Sequence, residues 1–327
     1  MSEGDPMLSR SAAAAPRVSV ITIFLNAEHY LAEAINSVLA QDFCDLELIL
    51  VDDGSIDGGT TIARDYASRP GSMVRYVEHP SRANRGMSAS RNLGLSAARG
   101  ELVAFIDADD VWMPRKLSDQ VAIMDAHPEL GMVCGAVRYW TSWEGGEDTV
   151  VPTGHALNRV IPNPEASLAL YPLGEAAAPC PSDLLLRRDL VLSLGGFEEH
   201  FTGPRQMYED QGFLAKLYLA APVYFSDSVW LNYRQHAESC VATMTREGRY
   251  HEVRHYFLEW LDGYLATLPQ RDLRVVWALK KALLPYRHPW CHKALITAAG
   301  LAQYSLWAAR QILSPLRQGS GGRTEPG

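Results

Sequence analysis

The amino-acid sequence predicts an α/β fold built on a largely parallel sheet with helices on both faces. Three observations carry that prediction. Short apolar runs rich in β-branched residues recur at 18–24, 46–51 and 102–106, long enough for buried strands and too short for typical helices. Segments with apolar residues at helical spacing separate them, which is the alternation of an α/β layer. Two of the runs stop in acidic clusters, Asp52-Asp53 in one case and Asp107, Asp109 and Asp110 in the other. In open sheets of this kind ligands sit beyond the carboxyl ends of the strands, where strand order reverses. Both clusters should therefore face one crevice.

Taken in order, residues 1–16 have no apolar core of signal-peptide length and read as a flexible leader. VSVITIF is the first strand. Asn26 is placed to cap a helix whose apolar face holds Tyr30, Leu31, Ala34, Ile35, Val38 and Leu39. The second strand, 46–51, runs through Asp52-Asp53-Gly54-Ser55 into a helix over 60–67. A third strand is expected at 73–77, a helix at 87–98, then the central strand at 102–106. Pro114 suits the first turn of a helix ending near residue 127, and 130–137 reads as another strand. Residues 138–180 carry Gly145-Gly146 and prolines at 152, 162, 164, 172 and 179, which predicts loops shaping a pocket or lid. Residues 184–186 are strand-like. Glu209-Asp210 lead into a helix with Phe213, Leu214, Leu217 and Tyr218 at apolar positions, and 223–225 and 229–233 read as two short strands. Beyond 247 the pattern turns helical, with an apolar stripe through Phe257, Leu261, Tyr264, Leu265 and Leu268. The expected organisation is a leader over 1–16, a domain over 17–240, a helical region over 241–317 and a disordered tail over 318–327.

A net charge of −8 argues against nucleic acid as a partner, because a phosphate backbone demands a basic surface. The five cysteines, Cys44, Cys134, Cys180, Cys240 and Cys291, are far apart and odd in number, with no Cys-x-x-Cys pair. That favours free thiols in a reducing compartment. No stretch has the eighteen or so consecutive apolar residues of a membrane span, so a cytoplasmic protein is expected. Lys280, Lys281, Arg287, His288, His292 and Lys293 make the C-terminal helices locally basic. Two readings stay open for them: peripheral contact with the acidic inner face of a membrane, or packing on the core or a second copy. No motif speaks to oligomeric state.

The stretch GELVAFIDADDVWMP carries the most chemistry. Three of the four residues after Ile106 are carboxylates, and such groups repel unless something neutralises them. A hard divalent cation with oxygen ligands would do so. If that cation also held a diphosphate, the stretch would serve a nucleotide-activated substrate. A solvated turn is the plain alternative.

VSVITIFLN, LILVDDGSIDGG, MSASRNLGLSAARGELVAFIDADDVWMPRKL and MYEDQGFLAKL occur in that order. Together they resemble the family 2 inverting glycosyltransferases of the GT-A fold, over roughly residues 17–240. The resemblance implies a nucleotide-sugar donor, commonly a UDP-sugar, with Mn²⁺ or Mg²⁺, and a saccharide or lipid-linked acceptor. It implies that Asp53, with Asp52 beside it, accepts the uracil N–H, a task that suits a group able only to accept. The family's Asp-x-Asp motif falls on Asp107-Ala108-Asp109. Asp109 would ligate the metal, Asp107 would hold the ribose or a metal-bound water, and Asp110 would assist or cap the next segment. Asp210 matches the general base, and Glu209 would orient the acceptor. His236 matches a histidine that closes the site and in some members ligates the metal. Gly86 would let the backbone approach the nucleotide closely. Arg91 would contact phosphate or pair with an acidic strand end. The family often has small polar residues after its first strand. Here the run is Thr22-Ile23-Phe24-Leu25-Asn26, so backbone groups are expected to contact the base, and a dTDP-sugar stays open. Two other classes compete. A sugar-nucleotidyltransferase would carry a basic, Gly-rich loop where this chain has FLNAEHY. A silent sugar- or protein-binding module would have lost an acidic motif, and both are intact.

Overall fold

A computed structural model of the chain describes residues 15–154, 157–237 and 239–290. Its strands are β1 (Val18–Phe24), β2 (Leu46–Asp52), β3 (Val74–Glu78), β4 (Leu102–Phe105), β5 (Val111–Trp112), β6 (Met132–Trp140), β7 (Thr149–Val151), β8 (Arg159–Ile161), β9 (Leu185–Arg187) and β10 (Val223–Arg234). Its α-helices are α1 (Leu31–Leu39), α2 (Gly59–Ser68), α3 (Met87–Ala97), α4 (Lys116–Ala126), α5 (Glu165–Ala169), α6 (Arg188–Ser193), α7 (Glu209–Ala220), α8 (Cys240–Arg246), α9 (Tyr250–Thr267) and α10 (Leu273–Arg287).

The strands form one sheet in the order β3-β2-β1-β4-β9-β6-β10-β5, with β7 on β6 and β8 on β10. β1 pairs in parallel with both β2 and β4, so strand order reverses on either side of it. The crevice expected of such a reversal lies beyond Phe24, Asp52 and Phe105. β9 runs antiparallel between β4 and β6, which joins the parallel half to the β6–β10 pair.

Strand alternation decides which way the acidic residues turn. Side chains along a strand point to opposite faces with a period of two. Val18 and Val20 of β1, Leu48 and Leu50 of β2, and Leu102 and Ala104 of β4 pack with α1 and α2 on one face. Ile21, Ile49, Val51, Val103 and Phe105 pack on the other, against Phe213, Leu214 and Leu217 of α7. Asp52 continues the even-numbered set and reaches α2. Asp107 continues the odd-numbered set and reaches the α3 and α7 side. α3 lies close to the sheet because residue 94 is glycine: a Cβ there would stand 2.4 Å from Ile21 Cγ2.

The structure differs from the sequence reading at several points, among them Pro114, which lies just before α4 and not in its first turn. Asn26 does not cap α1. It sits at φ +53 and its Oδ1 accepts from the Ile56 N–H at 2.9 Å, tying the end of β1 to the loop after β2. The two short strands expected at 223–233 are one long strand, β10, whose register against β6 shifts between Phe225 and Leu231; the irregularity breaks the alternation that would have marked it as continuous. The stretch after β6 holds β7, β8 and α5 within its loops.

α9 and α10 form a third apolar cluster, in which Phe257, Leu261, Leu265, Val275 and Leu279 pack with Phe201 and Tyr208. Most of the positive charge of α10 is met within the chain. Lys280 bonds Asp262 at 2.8 Å, and Arg287 bonds Asp262 at the same distance and also Glu259. Among the described residues no helix is long and apolar enough to cross a membrane. Cys44, Cys134, Cys180 and Cys240 are free thiols. The expectations for residues 1–14 and 291–327, including Cys291, His292 and Lys293, lie outside the described residues.

Candidate functional site

The ends of β1, β2 and β4 open into a cleft of about 600 Å³ whose lining includes Ile23, Asn26, Asp53, Asp107, Asp109 and His236. The two acidic clusters thus meet where the strand order predicted. Their members do different work.

Asp52 is 1% exposed and both its oxygens are engaged. Oδ1 accepts from the backbone N–H of Ser55 at 2.7 Å and of Gly54 at 3.1 Å. Oδ2 accepts from the Thr60 hydroxyl at 2.6 Å and the Tyr76 hydroxyl at 2.9 Å. Burial pushes its carboxyl up, but these bonds outweigh it and hold the group below its ordinary range. Asp52 shapes the loop and does not line the cleft. Asp53 does line it. Its carboxylate accepts from the N–H of Arg85 at 2.7 Å and of Gly86 at 3.0 Å. Gly86 takes φ +89, which favours glycine, and precedes the first turn of α3. The Met87 N–H donates to Gln206 Oε1 at 2.9 Å, so the segment before α7 closes over this turn.

Arg91 resolves to the second of its two readings. It is 2% exposed and joins two acids from different elements: Asp107 Oδ1 at 2.8 Å and the carboxylate of Glu209. Its guanidinium also lies 5.5 Å from the Phe197 ring centroid. Burial raises the Asp107 carboxyl, Arg91 opposes the rise, and Asp109 adds to it. Burial likewise pushes Glu209 up to about 8, against the pull of Arg91 and with help from Asp210 and Asp107.

Asp109 Oδ2 lies 2.9 Å from His236 Nε2, and its side chain keeps 32% exposure toward the cleft. Asp110 is wholly buried. It accepts from the Ser182 hydroxyl at 2.5 Å and the Arg234 N–H at 2.9 Å, so it pins β10 beside the acidic turn. Burial, then the charges of Asp109 and Asp107, hold its carboxyl well above the ordinary range. Arg234 carries the other half of this clamp. Its Nε donates to the Asp109 carbonyl at 2.6 Å, and its guanidinium reaches Glu33 on α1 at 2.5 Å. The rings of Trp140, Trp143 and Tyr30 surround it at 4.3, 4.7 and 5.0 Å, within cation–π range. Neither Arg234 nor Ser182 stood out in the sequence. An Arg two residues before a histidine has no spacing signature, and only the fold brings Trp140 and Tyr30 to it.

Asp210 lies in the first turn of α7 and lines a smaller chamber of about 210 Å³. Its Oδ1 accepts from the Gln211 N–H at 2.7 Å. Burial raises its carboxyl to about 6, against the bonds from Gln211 and the charge of Arg91. Tyr233 lines both the cleft and the chamber, so the two spaces share a wall. Asp53, Asp107, Asp109 and His236 therefore share the cleft, Asp210 stands next door, and Arg91 links Glu209 to Asp107 beneath them.

Among the described residues no group of three or more His, Cys, Asp or Glu side chains is disposed to hold a metal ion by itself. Asp109 and His236 bond each other at the cleft wall, and Asp107 is bonded to Arg91.

Residues 19–191 match the family described as Glycosyl transferase family 2. An uncharacterized glycosyltransferase of Nostoc is 32% identical over 175 residues, 54% of this chain and 52% of that protein. A putative glycosyltransferase of Bacillus subtilis, EpsE, is 41% identical over 112 residues, 34% of this chain and 40% of that protein. The chain spans about half or less of the length of these curated relatives. Among solved structures, S. aureus TarS in complex with UDP-GlcNAc superposes with a TM-score of 0.61 at 21% identity, covering 83% of this chain and 73% of that one. The mannosyltransferase PcManGT of Pyrobaculum calidifontis, in complex with GDP-Man and Mn²⁺, gives 0.58 at 21% identity, covering 94% and 83%. At that identity the likeness speaks to fold alone, and the fold is a Rossmann-like, GT-A sheet flanked by helices with further helices at its C-terminal end. With more than half its length matched, the chain belongs to glycosyl transferase family 2.

Proposed function

We propose that the protein transfers a sugar from a nucleotide-diphospho-sugar to an acceptor hydroxyl, with inversion at the anomeric carbon and Asp210 as general base. One observation carries this reading: a large cleft lined by Asp53 and Asp109 adjoins, across Tyr233, a chamber lined by a carboxyl raised to about 6. The acceptor oxygen attacks the anomeric carbon as the bond to the diphosphate oxygen breaks, and the acceptor proton passes to Asp210. A carboxyl near pH 6 is mostly ionised at neutral pH and is a better base than a free Asp.

Within this reading the donor base lies against Ile23, Phe24 and Asn26, and Asp53 accepts from a uracil N–H. Each carboxylate oxygen has two lone-pair sites, so the bonds to Arg85 and Gly86 leave room for one more. A UDP-sugar is the donor favoured. The open carboxylate of Asp109 suits Mg²⁺ or Mn²⁺, which take one or two protein carboxylates and complete their shell with substrate phosphates and water. Asp109 would hold such an ion with His236 beside it and Asp107 in support. The chemistry it supplies when bound is neutralisation of the charge that develops on the departing diphosphate. The acceptor is a saccharide or a lipid-linked saccharide, and a cytoplasmic site with peripheral contact at the membrane's inner face belongs to the same proposal.

Nucleotide release from a panel of UDP-, dTDP- and GDP-sugars, with Mn²⁺, Mg²⁺ or chelator, tests the reading. Asp109→Ala should lose metal-dependent donor binding in calorimetry, by about 10-fold or more, while thermal stability stays near wild type. Equal donor affinity with and without the ion, in wild type, would remove the metal from the mechanism.

A further inference from the structure

The chamber beside Asp210 has a lining that says what enters it. Five tyrosines from separate parts of the chain contribute: Tyr139, Tyr171, Tyr208, Tyr233 and Tyr250. The Tyr139 and Tyr233 rings stand 5.5 Å apart between centroids. The other three phenol groups bond one another. The Tyr171 and Tyr208 hydroxyls are 2.9 Å apart, Tyr208 donates to Tyr250 at 3.3 Å, and Tyr171 also contacts Tyr250. Val137, Val151 and Met207 fill in between. Among the described residues of the lining, Asp210 alone carries a charge.

We infer that this chamber takes the acceptor as a neutral sugar ring, and that Tyr250 of α9 is a specificity-determining wall of it. The inference rests on the proposed function and extends it to the acceptor's chemical class. Flat aromatic faces with a polar tip suit a pyranose, which offers an apolar C–H face and hydroxyls at its rim. Each phenol can donate and accept, so the three-hydroxyl cluster can exchange a bond with whichever hydroxyl the sugar presents. Among the described lining residues no Lys, Arg or His would meet a phosphate or carboxylate group, and Asp210 would repel it, so its desolvation would be poorly compensated. The chamber is also finished from outside the segment that defines the family. Residues 19–191 match, whereas Tyr250 opens α9, a helix whose Phe257 packs at a tilt 5.2 Å from the Tyr208 ring. The C-terminal helices thereby set the size of the space facing Asp210.

The test measures nucleotide release by the full chain, with Mn²⁺ and whichever donor of the panel above is cleaved. The probes are methyl and 4-nitrophenyl β-D-glucopyranoside, β-D-galactopyranoside and N-acetyl-β-D-glucosaminide, against glucose 6-phosphate and glucuronic acid. Neutral glycosides should bind, seen by saturation-transfer NMR, and should stimulate release, with the charged sugars inert. Tyr250→Ala should raise the KM of the neutral glycoside by about 10-fold more than that of the donor, and Tyr250→Phe should restore most of the loss. Tyr139→Ala, at a 39% exposed position outside the α9–α10 cluster, should raise the same KM if Tyr250→Ala folds poorly. Stimulation by the charged sugars alone, or no binding of any neutral glycoside while donor cleavage is intact, would overturn the inference. Loss of donor cleavage itself would instead count against the proposed function.

Discussion

Asp210→Asn should slow sugar transfer by about 10²–10⁴-fold, the usual contribution of a positioned general base, while donor affinity stays within about twofold of wild type. The amide keeps the shape of the side chain and can still accept from the Gln211 N–H through its oxygen, as Asp210 does at 2.7 Å. What it loses is the capacity to take the acceptor proton. The pH profile makes the assignment specific. Burial lifts the carboxyl to about 6, so the group is ionised above that pH and protonated below it. Wild-type kcat/KM should therefore fall on the acid side of about pH 6, by about one log unit per pH unit. The residual rate of the variant should show no such limb there. A variant with wild-type turnover, or with the same acid limb, would move the base elsewhere.

Arg91→Met should cost about 3–5 kcal/mol of folding stability, the range for removing one partner of a buried ion pair. Arg91 is 2% exposed and meets Asp107 and Glu209 from two other elements. Methionine fills the space but leaves Glu209, in the interior, and Asp107, at the cleft wall, without their cation. The Glu209 carboxyl, already raised to about 8 by burial, would rise further and stay protonated at neutral pH. Urea denaturation reads the loss directly. Adding Asp107→Asn should recover part of it, because the acid that would otherwise keep its charge without a cation is then neutral. A loss below roughly 1 kcal/mol would mean that the triad is not the internal strut that its geometry describes.

Much of the frame was legible in the sequence because strand burial leaves a strong local signal. The runs at 18–24, 46–51 and 102–106 are apolar on both faces, as strands covered by helices on two sides must be, and each became a strand. That Asp53, Asp107 and Asp109 meet in one cleft followed from the rule for strand ends. How the neighbouring acids divide their labour did not. Asp52 and Asp53 are adjacent in sequence, yet one is saturated by Thr60, Tyr76 and two backbone groups while the other faces the cleft. Strand parity assigns Asp52 to the α2 side once the strand's last residue is known, and sequence fixes that boundary poorly. Asp110 could be read as an assistant to its neighbours. Its partners, Ser182 and the Arg234 backbone, lie 72 and 124 residues away, and no local pattern points across such distances. The tyrosine chamber was unreadable for the same reason. Its rings come from β6, β10, α9 and the segments after α5 and before α7, and a scattered tyrosine has no periodicity to betray it.

The aromatic setting of Arg234 gives the protein a natural spectroscopic handle. Two of its indoles, Trp140 and Trp143, border a guanidinium whose Nε bonds the backbone of Asp109. A shift of that aspartate would move the bonded cation between the rings, and indole emission responds to the electric field around it. Filling the neighbouring cleft should therefore change intrinsic fluorescence, with no label attached and no turnover required.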